Sequence, residues 1–308
     1  MNTKAMQLSI FAMPLLLIGE SVLLAQAEPV SPPTEEATIV VTGNREKQAQ
    51  AAAGQAKAIT LRPSGDAPLA RHYAPVCVAT FGIKADFGAV LAQRVMRNVK
   101  LLSLPVGGAG CQANVWIGFA TDSKKQVAEL RKTNPEFFAD MKDFEVNRIF
   151  GGSGAAQVWH STERRNVDGR PLATMTINGR EVQTNAQYQA GRLVSPIRVD
   201  MNGSLVIFDS NRVPGLSLQQ LADYATLRIL APVQDLAKVD AGTVPTILTL
   251  FAQGDAPAAD GLTEFDWAYL SAYYRMDRGA KVSSIHDATE KSMLDGTATG
   301  LVRQAEDN

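Results

Sequence analysis

An α+β fold, with one globular domain of mixed sheet and packed helices behind a disordered amino-terminal tail, is predicted by three observations. Strand-like and helix-like periodicities alternate at the start of the globular part, as layered arrangements require. Turn-punctuated strand segments follow, and helical periodicity closes the chain. Composition agrees: 45% of the 308 residues are hydrophobic, 20% are charged and the net charge is −1. Such a balance lacks the basic footprint that nucleic acid demands.

In chain order, residues 1–27 begin with Lys4, pass through an apolar run at 8–19 and end in Ala25, Gln26 and Ala27. This n-region, h-region and small-residue pattern predicts a signal peptide cleaved after Ala27, and hence a periplasmic or secreted protein. Glu20 argues against a permanent span, since a charge at the bilayer centre is costly. The alternative is an uncleaved signal-anchor helix. In an exporting compartment the two cysteines, Cys77 and Cys111, predict a disulfide that adds ~3 to 4 kcal/mol on the chain-entropy account. The alternative is two buried thiols. No CxxC spacing is present, so neither a thioredoxin-type site nor a zinc knuckle is predicted.

Residues 28–66 are rich in Pro, Ala, Gln and Gly and nearly free of aromatics, which predicts a flexible tail. Only "TIVVTG" has strand character there. The globular domain is expected over 67–295. "APVCVATFG" predicts a strand, and Phe87, Val90, Leu91, Val95 and Val99 predict a helix after it. "ANVWIGFATD" is a second strand, and "SKKQVAELRKTNPEFFADM" a helix broken at Pro135. "AAQVWHSTERR", "PLATMTING", "SPIRVDMNG" and "SLVIFDS" are strands in a meander or set of hairpins. "SLQQLADYATLRILAPV" is a helix with a capping box at Ser217 and Gln220, "TVPTILTLF" is ambiguous, and two helical segments follow from Thr263 and Lys281. Residues 296–308 are expected to fray.

The stretch 36–45, "EATIVVTGNR", resembles the TonB box of TonB-dependent outer-membrane receptors of Gram-negative bacteria. The resemblance implies that Thr38, Ile39, Val40, Val41 and Thr42 pair as an added strand with the periplasmic domain of TonB. The chain is too short for a receptor barrel, so the box is either borrowed by an exported protein or a plain linker strand. A second likeness covers the carboxy-terminal half, where "SLVIFDS", "LADYATLRILA", "TILTLF" and "LTEFDWAYLSAYY" resemble a group of exported bacterial proteins, some with a zincin-like layout. In those members a helix carries metal ligands one turn apart. Here that helix has Leu221, Ala222, Asp223, Tyr224 and Ala225, with no imidazole.

The three histidines, His72, His160 and His286, show no ligand spacing, so no metal site and no cofactor is predicted. Ser153 in "GGSGAA" has the small neighbours of a nucleophile elbow, but a strand follows it where a helix is needed. Asp260, Glu264 and Asp266 fit a helix start better than a catalytic pair. Trp267, Tyr269, Leu270, Tyr273 and Tyr274 fit core packing, with one aromatic edge left for a pocket. The function these features predict is a non-catalytic cell-envelope protein that binds a partner, with TonB as a candidate through 36–45. The alternative is an exported hydrolase built on Ser153, His160 and Asp223. A third reading is a degenerate zincin-like scaffold in which the tail is only a spacer.

Overall fold

The computed structural model describes residues 35–63, 67–139, 141–152, 154–185, 195–236, 244–252 and 258–307. Residues 1–27 therefore lie outside the described residues. The chain divides into two units, Met1–Val40 and Val41–Asn308; the architecture below is that of the second.

The largest departure from the expected flexible tail is a helix, α1, over Glu35–Ile59. Ala49, Ala52, Ala53, Ala56 and Ile59 recur on one helical face and are buried. A segment that lacks aromatics and resembles a tail also carries the best helix-forming residue, on a stripe small enough for close packing. Gln55 fastens the helix: its amide donates to the Val244 carbonyl at 2.9 Å and its oxygen accepts the Val244 N–H at 2.8 Å. Beyond the helix, Leu61 N–H donates to the Pro232 carbonyl. Thr38, Ile39, Val40, Val41 and Thr42, expected in extended form, fall within the helical span. Helix growth from the alanine-rich stretch is cooperative, and each added residue costs little once a turn exists.

The sheet is built on one long strand. Strands β1 (Ala70–Arg71), β2 (Val78–Phe81), β3 (Val115–Ala120) and β7 (Ile197–Asp209) are parallel, and β4 (Ala156–Asn166) is antiparallel. β7 takes β4 on one edge and β1 and β3 on the other, with β2 beyond β3. The segments "SPIRVDMNG" and "SLVIFDS" are thus one strand, and the register shift between Ser161 and Thr162 of β4 leaves Asn202 of β7 as the extra residue. β5 (Ala173–Ile177) and β6 (Arg180–Thr184) form a separate hairpin. Its turn places Asn178 and Gly179 at positive φ, as tight hairpin turns need.

Alternation along β7 sorts the two faces. Val206 and Phe208 enter a core made with α1, α2 (Ala85–Leu101), α5 (Leu218–Leu230), α6 (Glu264–Arg275), α7 (Ile285–Leu294) and α8 (Thr297–Glu306). Leu205 and Ile207 face a smaller cluster under α3 (Ser123–Thr133) and α4 (Asp143–Phe150). α2 buries Leu91, Val95 and Val99 as expected, but Phe87 and Val90 are 49% and 52% exposed, because they lie off the stripe that meets the core. Pro135 ends α3 and starts a 3-10 turn, and "TVPTILTLF" is a 3-10 turn at Ile247–Thr249. Residues 297–306 do not fray: α8 buries Ala298, and the Thr299 hydroxyl donates to Glu264 Oε1 at 2.6 Å.

α6 is buried nearly all round, which explains its aromatic content, and each tyrosine hydroxyl finds a partner. Tyr269 meets Thr60 Oγ1 at 2.9 Å, Tyr273 donates to the Ala70 carbonyl at 2.7 Å and Tyr274 to the Leu230 carbonyl at 2.8 Å. Asp266 caps α6 from a fully buried position, accepting N–H groups of Ile247 and Thr263 at 2.8 and 2.9 Å. Burial nevertheless pushes its carboxyl up to about 6. Cys77 and Cys111 form the expected disulfide, with Cα atoms 6.1 Å apart, tying the approach to β2 to the approach to β3. Gly107 leaves room for it, since a Cβ there would stand 2.5 Å from Cys111 Sγ.

Candidate functional site

The edge strand β4 borders a cleft of about 450 Å³, within the range of small-ligand sites. Val158, Trp159, His160, Thr162 and Arg164 of β4 line it, together with Arg148 and Ile149 of α4, residues of the 61–70 linker, Pro232 and Tyr273. Among the described residues, β4 pairs only with β7 apart from one isolated bridge at Arg165 and Pro171.

The imidazole in this cleft has a structural task that follows from the end of α5. A helix leaves its last carbonyls without internal partners, and α5 ends in the protein interior. Ala231 N–H closes onto the Leu227 carbonyl. The next three carbonyls are met by side chains from elsewhere. His160 Nε2–H donates to Arg228 O at 2.8 Å, His72 Nε2 and Ser204 Oγ reach Ile229 O at 3.2 and 2.9 Å, and Tyr274 takes Leu230 O. A carbonyl partner fixes Nε2 as the protonated nitrogen of each ring. Charging either ring would also protonate Nδ1, which in His72 is buried without a partner. Desolvation lowers His72 to about 4 and His160 to about 3. Both rings are neutral near pH 7.

The residues of the hydrolase alternative are not assembled. Ser153 lies outside the described residues. Asp223, fully buried on α5, is held by Arg94 in a two-pronged pair at 2.9 and 2.8 Å, by Asn98 Nδ2 at 2.7 Å and by Leu262 N–H at 3.1 Å. Its oxygens are committed to joining α2, α5 and the 260–262 segment, and His160 is joined to a backbone carbonyl instead. Asp223 and its neighbours Leu221, Ala222, Tyr224 and Ala225 are all buried in α5, and no group of His, Cys, Asp and Glu among the described residues has the arrangement of a metal site. Of the acids near residue 260, Asp266 and Glu264 serve α6 and its contact with α8.

Sequence reasoning missed the cleft because its basic residues, Arg62, Arg148 and Arg164, come from three distant segments. The aromatic edge expected of α6 is present in part, as Tyr273 borders the cleft. No helix among the described residues is long and apolar enough to cross a membrane. No family model, no curated protein and no solved structure matches the chain.

Proposed function

We propose that this chain is an exported cell-envelope protein that holds a partner in the β4 cleft without transforming it. The observation that carries this reading is the chemistry of the cleft. Its imidazole is committed to the end of α5, and the remaining walls are guanidinium groups, apolar side chains, the Thr162 side chain and Tyr273, whose hydroxyl donates to the Ala70 carbonyl. Those groups retain a ligand, and none is a nucleophile paired with a base. Trp159 in the wall provides the test. The chain has three tryptophans, so its indole N–H resonances are few, and Trp159→Phe assigns the one that matters. Small molecules and peptides that bind are expected to shift that resonance. Ligands that consistently move other signals and leave Trp159 still, or turnover of a substrate abolished by His160→Gln, would overturn the reading.

A second reading, contact with TonB through residues 36–45, draws on the exposure of 44–48, which lie just before the buried Ala49 of α1. Pairing with TonB requires residues 38–42 to exchange helix for strand. Titrating a peptide of residues 34–48 into the periplasmic domain of TonB, with Val40→Pro as control, tests it. Micromolar binding lost in the proline peptide supports a TonB box, because proline cannot donate to a strand ladder. No binding at millimolar peptide removes TonB as the partner and leaves the cleft reading intact.

A further inference from the structure

Resting on the cleft reading, we propose that the ligand held beside β4 is an amphipathic anion: a carboxylate or phosphate head on an apolar body. The head is assigned by charge. Arg62 from the linker, Arg148 from α4 and Arg164 from β4 all line the cleft, and no carboxylate does so among the described residues. None of the three forms an ion pair among those residues, whereas some of the other arginines do. Arg94, Arg131, Arg165, Arg170, Arg198 and Arg228 each pair with Asp or Glu. The chain carries 30 basic and 31 acidic residues, so acids were not scarce. A second cavity of about 400 Å³ shares Arg62, Pro63 and Ala67 with the first and repeats the pattern. Lys57 and Lys281 line it with no carboxylate among the described lining residues, beside His286, whose Nε2 lies 3.1 Å from Asp287 Oδ1. Basic groups therefore gather around the linker from both sides.

Guanidinium groups present paired donors that match the oxygens of carboxylate and phosphate, which makes them the expected receptors for such a head. The body is assigned by the rest of the wall. Leu61, Ile149, Val158, Trp159, Pro68 and Pro232 offer apolar surface, and Leu61 is 45% exposed. A small inorganic anion would leave that surface wet, and a neutral apolar molecule would leave the arginines without a partner. An anion with an apolar body satisfies both.

The test is titration calorimetry of the full chain at low salt with four probes below their micelle-forming concentrations: dodecanoate, dodecyl phosphate, inorganic phosphate and neutral dodecyl maltoside. The Trp159 indole resonance reports the place of binding. Dodecanoate or dodecyl phosphate is expected to bind at least tenfold more tightly than both inorganic phosphate and the maltoside, and their ratio distinguishes a carboxylate from a phosphate head. Arg148→Ala with Arg164→Ala is expected to weaken the anion at least tenfold while leaving the melting temperature unchanged, since both side chains are exposed. The corresponding lysine pair is expected to recover part of the affinity. Maltoside that binds at Trp159 as tightly as the anions, or an alanine pair that binds them unchanged, overturns the anionic assignment and leaves the cleft reading standing. Failure of every probe to move Trp159 overturns both.

Discussion

Replacing His72 by glutamine is expected to blunt the response of the fold to mild acid. His72 is 3% exposed and its pKa falls from 6.5 to about 4 on folding. The unfolded chain therefore takes up the proton first, and the stability tied to neutral His72 is lost as pH drops from the upper value toward the lower. Linkage puts that loss at roughly 2 kcal/mol between about pH 7 and pH 5. Asp266 works in the opposite sense, because its pKa rises from 3.8 to about 6 and the folded chain takes up the proton first. Its contribution over the same interval is a gain of roughly 1 kcal/mol. His160 acts in the direction of His72, because burial lowers its pKa from 6.5 to about 3. The wild-type chain is thus expected to weaken on acidification, and His72→Gln, which keeps a donor for the Ile229 carbonyl, is expected to weaken less. Urea unfolding at a series of pH values, with the disulfide intact, measures both. The stability difference between the two proteins is expected to shrink by roughly 2 kcal/mol from pH 7 to pH 5. A difference that stays constant with pH refutes the claim that a neutral imidazole closes α5.

Replacing Cys77 and Cys111 together by serine releases a closure of 34 residues, and denaturant unfolding is expected to show a loss of ~3 to 4 kcal/mol. Arg94→Ala strands the buried Asp223 carboxylate, and the same assay is expected to report roughly 3 kcal/mol of destabilisation. Asn98→Ala, which removes one neutral donor from that carboxylate, is expected to cost less. Ala52→Asp places an unpaired charge on the buried stripe of α1 and is expected to lower the melting temperature by more than 10 °C, whereas Lys47→Asp on its exposed side is expected to shift it by no more than a degree or two.

β2, β3, β4, β5 and the two halves of β7 were legible because each carries its own signal of alternating or continuous apolar residues between turn formers, whereas β1 and β6, short and polar, carry none. The α5 and α6 caps were legible for the same local reason, as Ser217 with Gln220 and Thr263 with Asp266 lie three residues apart. The disulfide followed from the cysteine count together with the expectation of export. What escaped is non-local. α1 has the composition of a solvated tail, and only the partners of Ala49, Ala52 and Ala56, contributed by distant elements, reveal its burial. α8 was misjudged likewise, its short apolar stripe gaining meaning only against α6. Neither the role of His160 nor the gathering of Arg62, Arg148 and Arg164 has any sequence spacing to announce it, because the topology alone brings these segments together.

The closing of α5 by remote side chains has a consequence for how the molecule assembles. His72, His160 and Tyr274 stand 157, 68 and 44 positions from the carbonyls they serve. A nascent α5 emerging from the unfolded chain has none of them, so its final turn is free to unwind until β4 and the segment that follows β1 have docked. Ordering of that turn becomes a late event on the folding route, and substitutions at His72 and Tyr274 should leave the folding rate nearly untouched while quickening unfolding. The β4 cleft, which shares His160 with that last turn, is then among the final parts of the molecule to take shape.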